Sequence, residues 1–121
     1  ERYNPHRKLM SECLFCRIVA REIPAQLVHE DAQSVAFKDI NPKAPTHVLV
    51  VPKKHVRCLS DCSDEDAVLL GHLQRVAVAI AAKEGVESFR LVVNNGREAG
   101  QTVDHLHYHL LGGRPLQWPP G

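Results

Sequence analysis

The run Thr102-Val103-Asp104-His105-Leu106-His107-Tyr108-His109-Leu110-Leu111 limits how this chain can fold. Side chains alternate between the faces of an extended strand, so the three histidines are expected on one face and the apolar residues between them on the other. Histidine, with an unperturbed pKa of about 6.5, serves as a base, nucleophile or metal ligand near neutral pH. An expression tag would be contiguous and terminal, so we interpret this run as a functional strand.

The chain as a whole has the composition of an ordinary globular domain. Its 121 residues suffice for one domain with a buried core, and its net charge of +1 argues against binding nucleic acid by bulk electrostatics. No window is apolar enough for a membrane helix, and residues 1–8 lack an apolar signal core, so we expect a cytoplasmic protein without membrane contact. Residues 1–12 are predicted to form a flexible extension before a single domain of residues 13–121.

The cysteines Cys13 and Cys16 form a CxxC pair. In a cytoplasmic chain such a pair more often binds metal or performs redox chemistry than forms a structural disulfide. A tetrahedral zinc site would need two further ligands, for which His55 and one histidine of the strand are available. Buried free thiols and a redox pair remain alternatives, and the other two cysteines are expected to take no part.

Hydrophobic periodicity predicts an α+β fold, with a central antiparallel sheet and helices on one side of it. A short helix should follow the CxxC pair and stop before Ile23-Pro24, and a long helix should begin at Ser60 or Ser63 and end before Gly85. Besides the histidine run, the predicted strands are Gln26–His29, Ser34–Asp39, Thr46–Val51 and Phe89–Asn94.

A polar loop precedes the histidine run. Glycines, amides and a hydroxyl accumulate between Asn94 and Thr102, and such groups suit an oxyanion or phosphate site, although Asn94-Asn95-Gly96 could also be a simple hairpin turn. His47 at a strand start and His72 beside the apolar helix stripe are more typical of structural histidines.

Together these segments resemble the histidine triad (HIT) family and, within it, the Hint branch of nucleotide-binding phosphoramidases. The resemblance covers essentially residues 13–121. It is carried by Phe37-Lys38-Asp39-Ile40 with Pro42, Ala44-Pro45-Thr46-His47, Pro52-Lys53-Lys54-His55, Val93-Asn94-Asn95-Gly96, Gly100-Gln101-Thr102-Val103-Asp104-His105-Leu106-His107-Tyr108-His109, Leu111-Gly112-Gly113-Arg114 and Trp118-Pro119-Pro120-Gly121.

The resemblance implies a homodimer with one long and one short helix per subunit and a purine nucleotide site on each. It implies that His107 attacks phosphorus and carries a nucleotidyl group until water releases it. His109 would donate to the phosphate, and His47 would support the proton network, which reverses its structural interpretation. With His105, the first histidine of the triad, these residues make up the implied catalytic set.

The resemblance also assigns substrate contacts. Asp39 would accept the ribose hydroxyls, and Trp118 would reach the partner subunit's site. An apolar slot for the base would consist of Ile40, Phe37, Phe15 and Ile18. The phosphate would be held by Asn94, Gly100, Gln101, Thr102 and His109. Most family members have serine at the position of Thr102, which keeps the hydroxyl.

Part of the family carries a structural zinc, and the matching ligands here are Cys13, Cys16, His55 and His105. This set closes a tetrahedral site with no open position, so the metal would not activate water. No organic cofactor is expected. The implied function is hydrolysis of purine nucleoside 5′-phosphoramidates. Hydrolysis of dinucleoside polyphosphates with the same histidines, and a non-catalytic nucleotide- or zinc-binding interaction module, are the alternatives.

Overall fold

The computed structural model describes residues 12–121, so most of the predicted extension over residues 1–12 lies outside the described residues. The described chain forms five strands, two α-helices and three short 3₁₀ helices. The helices are α1 (Leu14–Val19) and α2 (Ala67–Lys83), and the strands are β1 (Leu27–Glu30), β2 (Ser34–Lys38), β3 (Thr46–Pro52), β4 (Phe89–Val93) and β5 (Tyr108–Gly112). All neighbours pair antiparallel, in the order β1-β2-β3-β5-β4. This confirms the predicted α+β class.

Strand β3 lies in the middle of the sheet because its sequence suits burial on both faces. From His47 to Pro52 every residue is buried, and half of these residues are valines, which are β-branched. It pairs with β2 on one side and with β5 on the other. β3 therefore fixes the register of the strand that carries the end of the histidine run.

The two faces of the sheet bury different cores, each under one helix, so the prediction that the helices lie on one side of the sheet was wrong. On one face, Val48, Val50 and their neighbours pack under the apolar stripe of α2, as predicted from its periodicity. On the other face, Phe15 and Ile18 of α1 pack against Phe37 and the remaining apolar residues of β2 and β3. The short helix covers only part of that face, which leaves room beside it for polar groups.

The histidine run keeps its predicted face separation but is only partly a strand. Leu106, Tyr108 and Leu110 all lie in the core beneath α2, which leaves the histidines toward the α1 face. However, β5 begins at Tyr108, so the prediction that the whole run forms a strand was wrong. The preceding segment leaves the ladder because the main-chain N–H of Leu106 donates to the carbonyl of Val56, 2.7 Å away.

The long helix begins later than predicted. Ser63 and Asp66 form a capping box around a single 3₁₀ turn, and α2 starts only at Ala67. The helix ends at Lys83, and Gly85 follows with φ of +73°, as expected for a left-handed stop. His72 projects from α2 to the carboxylate of Asp31, which agrees with the structural role first expected of it. Among the described residues, neither helix has the length and apolar character needed to cross a membrane.

Two glycines give a matched test of the packing. A Cβ at Gly112 would lie 2.5 Å from a methyl carbon of Val86 and 3.3 Å from the carbonyl oxygen of Ser88, whereas one at Gly71 in α2 would meet open space. We expect Gly112→Ala to lower the free energy of unfolding by about 1–3 kcal/mol, because the core must shift. Gly71→Ala should raise it by about 0.5–1 kcal/mol, because alanine favours a helix interior. Urea unfolding measures both, and equal effects would contradict the packing at the end of β5.

Candidate active site and metal centre

His107 lies buried at the centre of the α1 face with one ring nitrogen already engaged. Its Nδ1 is 2.7 Å from the carbonyl oxygen of His105. A carbonyl can only accept, so Nδ1 carries the proton and Nε2 of the neutral ring keeps its lone pair. Phe15 packs edge-on against this ring at 5.1 Å between centroids. The ring is therefore held with its nucleophilic nitrogen defined.

A chain of hydrogen bonds places the proton of His109 on Nε2, whereas the proton of His107 lies on Nδ1. The main-chain N–H of Lys43 donates to Nδ1 of His47 over 3.0 Å, so the proton of neutral His47 lies on Nε2. That Nε2 is 2.9 Å from Nδ1 of His109 and 3.4 Å from a carboxylate oxygen of Asp39. When His47 donates to Nδ1, His109 carries its own proton on Nε2. A donor and a nucleophile thus lie side by side, with 4.9 Å between the rings of His109 and His107.

Burial keeps these imidazoles neutral. Removal from water lowers the pKa of His47 and of His107. It lowers the pKa of His109 to about 4, with repulsion from the neighbouring His107 and His47 acting in the same direction. At neutral pH the three rings are therefore uncharged, as a nucleophile and a hydrogen-bond relay require.

Asp39, His47 and His109 also lie close enough together to hold a metal ion. The proton arrangement argues against one. His47 would have to bind through Nε2, yet its Nδ1 already accepts the Lys43 N–H and cannot take up the displaced proton. We therefore interpret this group as a proton relay.

The second cluster has the donors and spacing of a metal centre. The ligand atoms of Cys13, Cys16, His55 and His105 all lie within 4.8 Å of one another. Sulfur and nitrogen atoms approach to 3.3 Å for Cys13 and His105 and to 3.2 Å for Cys16 and His55. A tetrahedral zinc centre, with bonds of about 2.3 Å to sulfur and 2.0 Å to nitrogen, separates such ligands by about 3.5 Å. These residues therefore fit a tetrahedral ion with little movement.

Both the imidazole and the thiol chemistry of this cluster favour a cation. His105 donates from Nε2 to the carbonyl of Pro52 over 2.8 Å, which leaves the lone pair of Nδ1 facing the sulfurs. Burial, with the neighbouring Cys13, raises the pKa of the Cys16 thiol to about 12. A bound cation would replace that proton and stabilise the thiolate.

The predicted phosphate residues lie around the loop that leads into the histidine run. Gln101 is buried, and its amide bonds three main-chain groups, the N–H of Gly96 and the carbonyls of Arg57 and Val103. Its side chain braces the loop. Gly100 has φ of +102° and lies beside the Asn94 amide, and Thr102 is exposed. Their contact with phosphate stays a prediction.

The predicted base and ribose residues are less closely grouped. Phe15, Ile18 and Phe37 pack in the core beneath α1, whereas the side chain of Ile40 is 98% exposed. Asp39 is partly buried beside His47 and also accepts the Asn41 N–H. Trp118 is 81% exposed, with the Arg90 guanidinium 5.9 Å from its ring centre. Their contacts with a nucleotide likewise stay predictions.

Sequence reasoning missed the main-chain groups that orient the imidazoles. The N–H of Lys43 and the carbonyls of Pro52 and His105 determine which ring nitrogen carries the proton. Such groups leave no signal in residue type. The one sequence signal that pointed to these groups was the position of Lys43 and Pro52 next to motifs that carry the family resemblance.

Acid should destabilise the protein through these histidines. The folded pKa of His109 is about 4 and the unfolded value about 6.5, so between them the unfolded chain takes up protons that the folded chain does not. The free energy of unfolding should therefore fall as the pH drops below about 6.5 and continue to fall to about pH 4. A fully buried histidine contributes at most about 1.4 kcal/mol per pH unit, and partly exposed His109 contributes less.

Urea unfolding at pH 7.5 and pH 5.0 checks this, and His109→Gln should reduce the difference. Carboxylates with lowered pKa, such as Asp66, change the free energy of unfolding only at more acidic pH, so they do not affect this comparison. Identical stability of the wild type at the two pH values would contradict the burial of neutral rings.

Comparison with known proteins identifies the family to which this chain belongs. A model of the HIT domain matches residues 20–116. An uncharacterized HIT-like protein of Synechocystis is 54% identical over 114 residues, covering 93% of this chain and all of the relative.

Solved structures agree. A HIT family hydrolase from Legionella pneumophila superposes with a TM-score of 0.89 at 49% identity, covering 90% of this chain and 99% of that one. A histidine triad protein from Clostridium difficile gives 0.85 at 44% identity, with 88% and 94% covered. Since the family model spans most of the chain, and since relatives this similar match over nearly their whole length, the chain belongs to the HIT domain family.

Proposed function

We propose that this protein hydrolyses purine nucleoside 5′-phosphoramidates through a nucleotidyl-histidine intermediate. The observation that carries the proposal is that one of two adjacent histidines offers a lone pair at Nε2 and the other a proton at Nε2. Nε2 of His107 has a free lone pair, and Nε2 of His109 carries a proton. The structural neighbours include HIT family hydrolases from Legionella pneumophila and Clostridium thermocellum, which supports a hydrolase.

In the first step Nε2 of His107 forms a bond to phosphorus while the bond from phosphorus to the amine nitrogen breaks. The departing amine takes one proton from solvent, while His109 keeps its own proton and donates it to a phosphate oxygen. The modified His107 ring becomes an imidazolium that keeps its Nδ1 proton, and the carbonyl of His105 accepts from it and stabilises the charge.

In the second step water attacks phosphorus and the bond to His107 breaks. The nucleoside monophosphate leaves, and the attacking water releases one proton to solvent, which balances the proton that departed with the amine. His109 donates to the phosphate oxygens in both steps, and His47 keeps its proton on the required nitrogen. The separation into two displacements is the usual advantage of covalent catalysis.

Zinc is the ion we propose for the Cys13, Cys16, His55 and His105 cluster. All four donors come from the protein, so the ion would connect α1, the segment after β3 and the start of the histidine run. In this role it would stabilise the fold and perform no chemistry on the substrate.

A homodimer is also proposed. Strand β4 lies at the edge of the sheet, with Phe89 at its start partly exposed, and the Trp118 side chain projects into solvent nearby, above Arg90 of the same strand. An unpaired edge and an exposed aromatic anchor are features that a second subunit would cover.

Substitution of the proposed nucleophile tests the mechanism. We expect His107→Ala to lower kcat on an adenosine 5′-phosphoramidate by at least about 10⁴-fold, because no covalent intermediate can form. His47→Asn should lower kcat by only about 10²-fold, since it removes a supporting interaction. His72→Asn, which changes a histidine on the opposite face, is the matched control and should retain nearly the wild-type rate.

A near wild-type rate in His107→Ala would refute the mechanism. If the wild type cleaves a dinucleoside polyphosphate faster than the phosphoramidate, the histidine mechanism stands but the proposed substrate class is wrong. Binding of adenosine monophosphate without turnover of either compound would favour a non-catalytic module.

Metal analysis tests the zinc proposal. The purified wild type should contain one zinc per chain, and Cys16→Ala should contain little, because a thiolate ligand is lost. Cys62→Ala, which removes a thiol outside the cluster, should retain the metal. Chelation under reducing conditions should lower the melting temperature by several degrees. Metal-free protein with an unchanged melting temperature would contradict a structural ion.

A further inference from the structure

We infer that Cys13, Cys16 and His105 are positioning residues for the nucleophile, so that assembly of the metal cluster determines the orientation of the His107 ring. The link is the main-chain carbonyl of His105. The inference rests on the proposed function in one respect, namely that His107 is the nucleophile.

His105 belongs to the cluster through its side chain and to the active site through its main chain. Its ring is completely buried, with Nδ1 at 3.3 Å from the sulfur of Cys13 and 3.5 Å from that of Cys16. Its Nε2 donates to the Pro52 carbonyl. Its own carbonyl oxygen accepts the Nδ1 proton of His107 over 2.7 Å. No ring nitrogen of His105 is left for a substrate.

The sheet does not hold this carbonyl in place. Strand β5 begins at Tyr108, so the ladder with β3 and β4 starts after both His105 and His107. The main-chain N–H of Leu106 donates to Val56, directly after the ligand His55. The buried Leu106 side chain and the bond from Gln101 to the Val103 carbonyl also hold this segment, and the His105 ring is the anchor that ties it to the cluster. The carbonyl therefore depends on the segment after β3 and on the cluster.

Helix α1 provides a second contact between the same two sites. Phe15 lies between the two cysteines in sequence, and its ring packs edge-on against His105 at 5.9 Å and His107 at 5.1 Å. The helix has only six residues, too few to be stable alone. Loss of the two sulfur ligands would thus loosen both the carbonyl that orients His107 and the aromatic ring beside it.

Rotation of the His107 ring would move Nε2 away from phosphorus. Misplacement of a reacting atom by about 1 Å can cost about 10²-fold in rate. We therefore expect removal of zinc to lower kcat by about 10²-fold, with a much smaller change in KM. The Nδ1 proton of His107, which the buried hydrogen bond protects from water, should exchange faster.

Nitrogen-15 NMR of the histidine rings measures this orientation directly. In zinc-loaded wild-type protein the His107 Nδ1–H should give a sharp resonance, assigned by its absence from His107→Ala. It should broaden or vanish in chelated protein and in Cys16→Ala, and it should return when zinc is added back to the chelated wild type. Cys62→Ala, loaded with zinc, is the control that should keep the resonance and the kcat.

An unchanged resonance and kcat in folded, metal-free protein would overturn the inference. If metal-free protein unfolds, zinc-loaded His105→Cys decides instead. A cysteine is shorter than the imidazole it replaces, so zinc binding would draw the main chain at residue 105 out of place, and the His107 resonance should shift or broaden. Retention of the resonance there would also overturn the inference. If zinc-loaded wild-type protein cleaves no phosphoramidate, the proposed function is wrong, but the NMR comparison still tests whether the cluster orients the His107 ring. If loaded and metal-free proteins cleave it equally, the positioning fails and the function stands.

Discussion

The hydrogen bond from Nδ1 of His107 to the carbonyl of His105 is the constraint on which the site depends. A neutral imidazole has two possible tautomers, and only one of them presents a lone pair from Nε2. The carbonyl selects that tautomer without introducing charge. In the proposed mechanism it also stabilises the cation that forms when the ring bonds to phosphorus, so one fixed dipole would serve both the ground state and the intermediate.

The sheet register brings the other groups proposed to be catalytic close to this nitrogen. His47 pairs with Leu111 and Leu49 pairs with His109, so the two histidines are diagonal neighbours on one face of β3 and β5. Apolar residues at alternate positions hold this register beneath α2, because a slip of one residue would expose the core and bury the histidines on the wrong face. The packing of α2 on one face thus fixes the proton relay on the other.

The sequence predicted those properties that depend on residue type and spacing. Alternation placed Leu106, Tyr108 and Leu110 in the core, and the CxxC spacing led to Cys13 and Cys16. Prediction from the sequence failed where a main-chain group decides the structure. The bond from Leu106 to Val56 keeps His105 and His107 out of β5, and Gln101, an attractive phosphate ligand by type, uses its amide to bond three main-chain groups. The exposure of Ile40 follows from a loop whose path no periodicity encodes.

The three histidines of the run therefore do different work despite their identical chemistry. His107 and His109 have nitrogens directed to the proposed reaction, whereas both ring nitrogens of His105 are occupied within the protein. Burial affects them similarly, since it lowers the pKa of each and makes a charged ring costly. The partner of each ring then decides its role, because a neutral buried imidazole must donate from one nitrogen and accept at the other. In the proposed function, a carbonyl beside Nδ1 makes His107 the nucleophile, a bond from His47 makes His109 a donor, and a pair of sulfurs makes His105 a metal ligand.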